Sequence, residues 1–332
     1  MSTGPPPGER HLLEYHSARG EFVSGTARYG EDRSLPGRGA ALARPVSLDG
    51  GPPVLQFRLP ASARGDRPAV QALEREIGTA LAIERAYGRT PYGRLFTRMI
   101  GHHLDAAEPF VLYPWPARDL VRIGRAALSI GDLRRLPAGL TTAVRLLEDI
   151  GFVHRSITPD TVRWDGRQVR LDPPPSAGPV GEPRVRFGEP PWASPEQRHG
   201  TGHCDPRDDL WSAGQVIYFL LAGQPGDGAG PPPDLGHYGQ LSVFRDTGVF
   251  AARAADRPRP AQLLPLLDVA DPVDPAARRP DPLEAGRREF DELLAARRGA
   301  LGLAPVPDAP PPPDVPPGPP AGARQRRTGG HP

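Results

Sequence analysis

The stretch Leu210 to Ala222 places apolar residues on nearly every side of a helix. A helix with no polar face belongs in the middle of a layer of other elements, because it has no side to give to water. It falls short of the roughly 20 apolar residues that a membrane span needs, and Gln215 interrupts it. The chain must therefore supply other helices to surround it. At 332 residues it also exceeds the roughly 250–300 at which one hydrophobic core stops growing, so two lobes are expected.

Further helices are readable from their spacing. Ala69 to Ala86 carries Val70, Leu73, Ile77 and Leu81 at three- and four-residue steps, with Glu74, Arg75, Glu76, Glu84 and Arg85 marking a polar side. Leu133 to Ile150 repeats the pattern with Leu136, Leu140, Val144 and Leu147, then stops at Gly151. Glu284 to Arg298 is amphipathic. Strand signals lie earlier. Val54 to Leu59 alternates and ends at Pro60, and Phe110 to Tyr113 is a short apolar run stopped by Pro114 and Pro116. Residues 223–262 are rich in Pro and Gly and read mostly as loop. Residues 301–332 hold 11 prolines and read as a disordered polyproline-like tail.

Every one of the 41 basic residues is Arg, since the chain has no Lys; against 39 acids the net charge is +2. That balance argues against a globally basic nucleic-acid binder. The single cysteine, Cys204, allows no internal disulfide or cysteine metal cluster. Met1 to Tyr15 shows prolines and Glu9 where a signal peptide needs an apolar run. The expectation is a cytoplasmic protein without membrane contact.

Four stretches then occur in a fixed order. They are Gly151-Phe152-Val153-His154-Arg155-Ser156-Ile157-Thr158-Pro159-Asp160-Thr161, then Pro191-Trp192-Ala193-Ser194-Pro195-Glu196, then Asp209-Leu210-Trp211-Ser212-Ala213-Gly214, and last Asp274-Pro275-Ala276-Ala277-Arg278-Arg279-Pro280. Together they resemble the catalytic loop, the end of the activation segment, the central helix and the late Arg-Pro motif of bacterial Ser/Thr protein kinases. The resemblance covers roughly residues 30–298. It implies an α+β, two-lobed protein-kinase-like fold, with a strand-rich N-lobe over about 21–113 and a helical C-lobe over about 114–300. Residues 1–20 would be an N-terminal extension and 301–332 the tail.

The earlier half follows from the resemblance. Leu35-Pro36-Gly37-Arg38-Gly39-Ala40-Ala41-Leu42 looks like a worn glycine-rich loop, with Gly37 and Gly39 in place and Leu42 for the third glycine. Glu76 stands where the lobe-bridging helix has its glutamate, with Glu74 as the alternative. Tyr113 falls in the hinge that receives adenine. ATP is the ligand this implies.

Kinase chemistry is positioning plus charge neutralisation, and it needs particular side chains. The catalytic Asp is Ser156, which accepts no proton at neutral pH. The following Lys is Thr158, and the metal-binding Asn is Thr161, a poor ligand for Mg²⁺. The metal-binding Asp-Phe-Gly falls on Leu171-Asp172-Pro173-Pro174-Pro175. Depending on a one-residue gap, its Asp is Asp172 or is lost to Pro173; Asp172 is thus the candidate metal ligand, with Asp160 weighed beside it. The phosphate-binding Lys is absent by arithmetic. Arg58 is its first substitute if it faces Glu76, and Arg38 and Arg44 are others; if Phe57 takes the Lys position, Arg58 faces solvent.

Scaffold residues are kept instead. His154, Arg155 and Asp209 remain, and Glu196 remains with Arg279 as its expected buried partner. The pattern is that of a pseudokinase acting through protein partners, over residues 223–262 or the Pro-rich tail, with ATP and Mg²⁺ binding open. The alternative is a divergent kinase with a reworked site.

Overall fold

Alternation along the strand Pro53–Arg58 governs the first half of the molecule. Val54, Gln56 and Arg58 point one way and Leu55 and Phe57 the other, as a two-residue period requires. All six of these residues except Pro53 are buried or half-buried, so both faces of this strand are covered.

The computed structural model describes residues 9–35, 38–115, 128–228, 230–273 and Arg297. Met1–Asp274 forms one unit and Pro275–Pro332 a second; the elements below belong to the first. The strands are β1 (Arg10–Ser17), β2 (Phe22–Tyr29), β3 (Arg33–Ser34), β4 (Leu42–Leu48), β5 (Pro53–Arg58), β6 (Gly101–His103) and β7 (Phe110–Pro114). They pair in the order β2-β1-β6-β7-β5-β4-β3, and β2 also pairs with β4. That extra pairing, Ala27 to Leu48 through Tyr29 to Val46, closes six strands into an antiparallel barrel with β3 appended. The stretch 1–20, expected as an extension ahead of the domain, supplies β1.

Leu13, Ala27, Tyr29, Val46, Val54, Phe110 and Leu112 fill the barrel interior. Arg44 and Arg58 lie on the same side. Arg44 stacks 3.9 Å over the Tyr29 ring and donates to Gln56. Arg58 is 1% exposed and pairs with Asp32 and with Glu108 at 2.6 Å. This corrects both readings of Arg58. It faces neither Glu76 nor solvent, because the β1–β2 hairpin covers the face that an open sheet would leave wet.

Helix α1 (Arg67–Tyr87) packs Leu73, Ile77 and Ala80 against Ala43, Phe57, Val111 and Tyr113 on the other side of the sheet. Asp66 caps its start, accepting from the Ala69 amide at 3.2 Å. Its last residue, Tyr87, donates its hydroxyl to the Leu146 carbonyl at 2.9 Å and to Asp149 at 2.7 Å, which ties α1 to the helical half.

That half is built around α2 (Ile130–Asp149) and α4 (Pro206–Ala222). Between them lie β8 (Phe152–Val153), β9 (Val162–Trp164), β10 (Val169–Leu171), β11 (Gly178–Pro179) and the short α3 (Pro195–His199). β9 pairs with β10 and β8 with β11, each antiparallel. A capping box joins Ser129 and Asp132 at the start of α2. Leu210, Trp211, Val216, Ile217 and Leu221 of α4 are buried among Leu140, Val144 and Leu147 of α2, as an all-apolar helix demands.

After α4 the chain is less open than its Pro and Gly content suggests. Short turns of helix follow, including α5 (Ser242–Asp246) and α6 (Pro260–Leu263), and Leu235, Leu241, Phe244, Val249 and Phe250 are buried in the same core. The expected helix Glu284 to Arg298, apart from Arg297, and the tail 301–332 lie outside the described residues. Among the described residues no helix is long and apolar enough to cross a membrane.

Candidate functional site

The loop from β3 to β4 delivers Arg38 to α1. Its Nη1 donates to both Glu76 oxygens at 2.6 and 2.5 Å, and its guanidinium lies 3.8 Å over the Phe57 ring. Gly39 follows with φ of +57°, a left-handed turn that suits glycine and that sends Arg38 inward. Glu76 is almost fully buried. Burial pushes its carboxyl above the usual range, against the pull of Arg38. Tyr113 packs beside them, and burial together with the Glu76 charge raises its phenol well above the ordinary value. Gly37 lies outside the described residues. Phe57 thus lies beside Arg38 where the resemblance would place the phosphate lysine, and Arg38 is the arginine that answers Glu76. Arg44 does not, since it lies inside the barrel.

Asp172 follows β10. Its carboxylate is fully engaged. Thr97 donates to Oδ1 at 2.6 Å, while Arg163 approaches Oδ2 with Nε at 2.8 Å and Nη2 at 2.6 Å. Asp160 is exposed. Among the described residues no group of three or more His, Cys, Asp or Glu is placed to hold a metal ion.

The loop 154–161 is closed on itself. Thr161 donates its hydroxyl to the Ser156 carbonyl at 2.7 Å and accepts from the Thr158 amide at 2.9 Å. In this way a threonine ties down the loop where the resemblance would have an asparagine reach a metal. His154 is buried, with Nε2 2.9 Å from the Asp172 carbonyl and Nδ1 3.3 Å from the Ser156 amide. Those partners define a neutral ring that donates from Nε2 and accepts at Nδ1. Burial holds its pKa down at about 4.

Asp209 receives the amides of His154 at 2.7 Å and Arg155 at 2.8 Å. Burial nevertheless pushes its carboxyl up to about 7. Arg155 sits at φ +66°, costly for a residue with a Cβ, and these contacts hold it there. Its side chain donates to the carbonyls of Ser176 at 3.4 Å and Val185 at 3.0 Å, so it acts as a strut under the segments on both sides of β11.

Glu196 pairs with Arg257. Arg257 Nη2 is 2.7 Å from Glu196, and its Nη1 is 3.2 Å from Asp208. Arg184 and Ser194 complete the set on Asp208 at 2.8 Å each. Burial works against ionisation of Glu196, but Arg257 and the Ala254 amide outweigh it and hold the carboxyl below its usual range. Arg279 lies outside the described residues. The arginine on Glu196 comes from the Asp256-Arg257-Pro258 triplet.

The structure therefore brings Glu76 and Tyr113 together around Arg38, and sets Asp172 against His154. It keeps Arg58 apart from them. Sequence reasoning missed Arg163, Thr97, Arg184 and Arg257. The available signal was the Arg-Pro pair at 257–258.

No family model matches the chain. Over 139 residues, 38% of its length, it is 31% identical to serine/threonine-protein kinase MRCK gamma of Mus musculus. Over 118 residues it is 31% identical to the probable serine/threonine-protein kinase PknB of Bifidobacterium longum. Over 110 residues it is 28% identical to CBL-interacting serine/threonine-protein kinase 21 of Arabidopsis thaliana. The chain spans 9%, 16% and 26% of those proteins, respectively. It is thus similar in part to Ser/Thr protein kinases, which is a kinase-like relationship.

Proposed function

We propose that this chain is a kinase-related binding domain that performs no phosphoryl transfer. One observation carries this reading: both carboxylates that a nucleotide–metal site would use are held by arginines, Glu76 by Arg38 and Asp172 by Arg163. Ser156 stands where a base is needed, and a general base is worth roughly 10²–10⁴ in rate. Phosphoryl transfer depends almost wholly on positioned charge, and here the charges neutralise one another. What remains is a rigid frame suited to contact with other proteins. The surface of residues 223–262 is its partner face; Leu241 and Phe244 anchor that segment to the core and leave polar groups outside.

The test is calorimetric titration of ATP into the full chain with and without Mg²⁺, run beside a transfer assay with radiolabelled ATP. Expected is the same result with and without the metal, and no labelled product. Mg²⁺-dependent binding with label transfer, both lost in Asp172→Asn, would establish a divergent kinase instead.

A further inference from the structure

Away from Arg38 and Glu76, a groove of about 620 Å³ opens between the end of α1, the turn Pro91–Leu95 and the β9–β10 pair. Arg89, Arg94, Arg98, Arg163 and Arg170 all line it, with Trp115 at its rim. They converge from separate elements: Arg89 follows α1, Arg94 sits in the turn, Arg98 leads to β6, and the other two stand on the strands.

Three of the five are balanced. Arg98 pairs with Glu84, Arg163 with Asp172 and Arg170 with Asp165. Arg89 and Arg94 are exposed and form no ion pair among the described residues. Two features make this more than a scatter of surface arginines. Arg163 and Arg170 are register partners, directly opposite each other across β9 and β10. Like charges in that position repel, and each is offset here by a single aspartate, Asp172 and Asp165, so the pair keeps guanidinium donors concentrated on one face. The Nε of Arg170 is also buried without a hydrogen-bond partner, a donor that the protein leaves unanswered.

We propose that this groove binds a small oligophosphate, a di- or triphosphate chain either free or carried by a nucleotide. Guanidinium forks match phosphate oxygens two at a time. Donors arriving from several directions suit a compact, multiply charged anion better than an extended chain, and the volume is that of a small-molecule pocket. Trp115, 52% exposed, offers a face on which a base stacks when the phosphate comes from a nucleotide. The site has a consequence for Asp172. An anion that draws on Arg163 competes with Asp172 for the same guanidinium, so occupancy of the groove loosens the clamp on that carboxylate.

The experiment is calorimetric titration of sodium tripolyphosphate into the full chain without Mg²⁺, with ATP as a second arm. Omitting the metal makes the result independent of the reading above. Saturable binding of one tripolyphosphate per chain is expected. Arg89→Ala/Arg94→Ala, two exposed positions whose loss leaves the core intact, should weaken it at least about tenfold. Asp172→Asn should strengthen it severalfold by releasing Arg163. ATP binding more tightly than tripolyphosphate identifies the nucleotide as the source, and equal affinity identifies the phosphate chain alone. No saturable heat at millimolar tripolyphosphate overturns the proposal. So does affinity unchanged in the double variant, or ATP binding without tripolyphosphate binding.

Discussion

Arg38 and Glu76 are 38 residues apart in sequence, and one guanidinium nitrogen donates to both oxygens of the carboxylate at 2.6 and 2.5 Å. The glutamate is almost completely buried and the arginine is sandwiched against Phe57. The pair therefore satisfies its own charges within the protein.

Removing one member strands the other. Arg38→Ala should cost about 3–5 kcal/mol, because Glu76 is left buried without a partner. The double replacement Arg38→Ala/Glu76→Leu should cost clearly less than the single one. Urea denaturation of the four proteins in this cycle measures the difference, and additive costs would refute the coupling.

The contact between Arg163 and Asp172 is less buried, so its loss should be milder. Arg163→Ala is expected to lower stability by about 1–3 kcal/mol, the range for hydrogen bonds to charged groups. Denaturation midpoints provide the check; an unchanged midpoint would mean that the clamp is energetically idle.

His154 gives a pH prediction with a definite sign. Its folded pKa is about 4, below the ordinary 6.5, so the unfolded chain binds the proton more readily. Its stabilising contribution is full above pH 6.5 and is lost as pH falls from 6.5 toward 4, at up to about 1.4 kcal/mol per pH unit. Asp209 works the other way. Its folded pKa is raised from 3.8 to about 7, so its contribution declines as pH rises between those values. The difference between wild type and His154→Gln isolates the histidine. Equal slopes in the two proteins between pH 4 and 6.5 would contradict the neutral, buried ring.

Arg257 serves two acids at once. Arg257→Ala should destabilise by about 3–5 kcal/mol, since Glu196 and the deeply buried Asp208 both lose a partner. Arg257→Lys should recover only part of that, because one ammonium does not span two carboxylates as the fork does. Thermal melts of the two variants rank them, and equal loss in both would show that geometry alone matters.

The helices and the motif order were legible because they rest on local spacing. Ala69 to Ala86, Leu133 to Ile150 and Leu210 to Ala222 lie within α1, α2 and α4 or within a residue of their ends. Glu196 and Asp209 were legible as scaffold, since their motifs place them. Arg58 was not, because its direction depends on whether the sheet has a wet face. That is decided by strands β1 and β2, whose register with β4 and β6 no local pattern announces. Arg257 was not read as a partner of Glu196, because only tertiary packing brings the two together. Arg163 and Thr97 were invisible for the same reason: they meet Asp172 through tertiary contact.

Closure of the barrel has a practical meaning for anyone shortening this chain. A sheet that closes on itself offers no free edge for another chain to pair with. A domain boundary drawn at residue 21, where the motifs alone would put it, deletes β1 and bares the paired flanks of β2 and β6. The interior arginines Arg44 and Arg58 would meet water on the same stroke. Such a truncated protein should aggregate through strand addition, whereas one that begins before Arg10 should stay monodisperse.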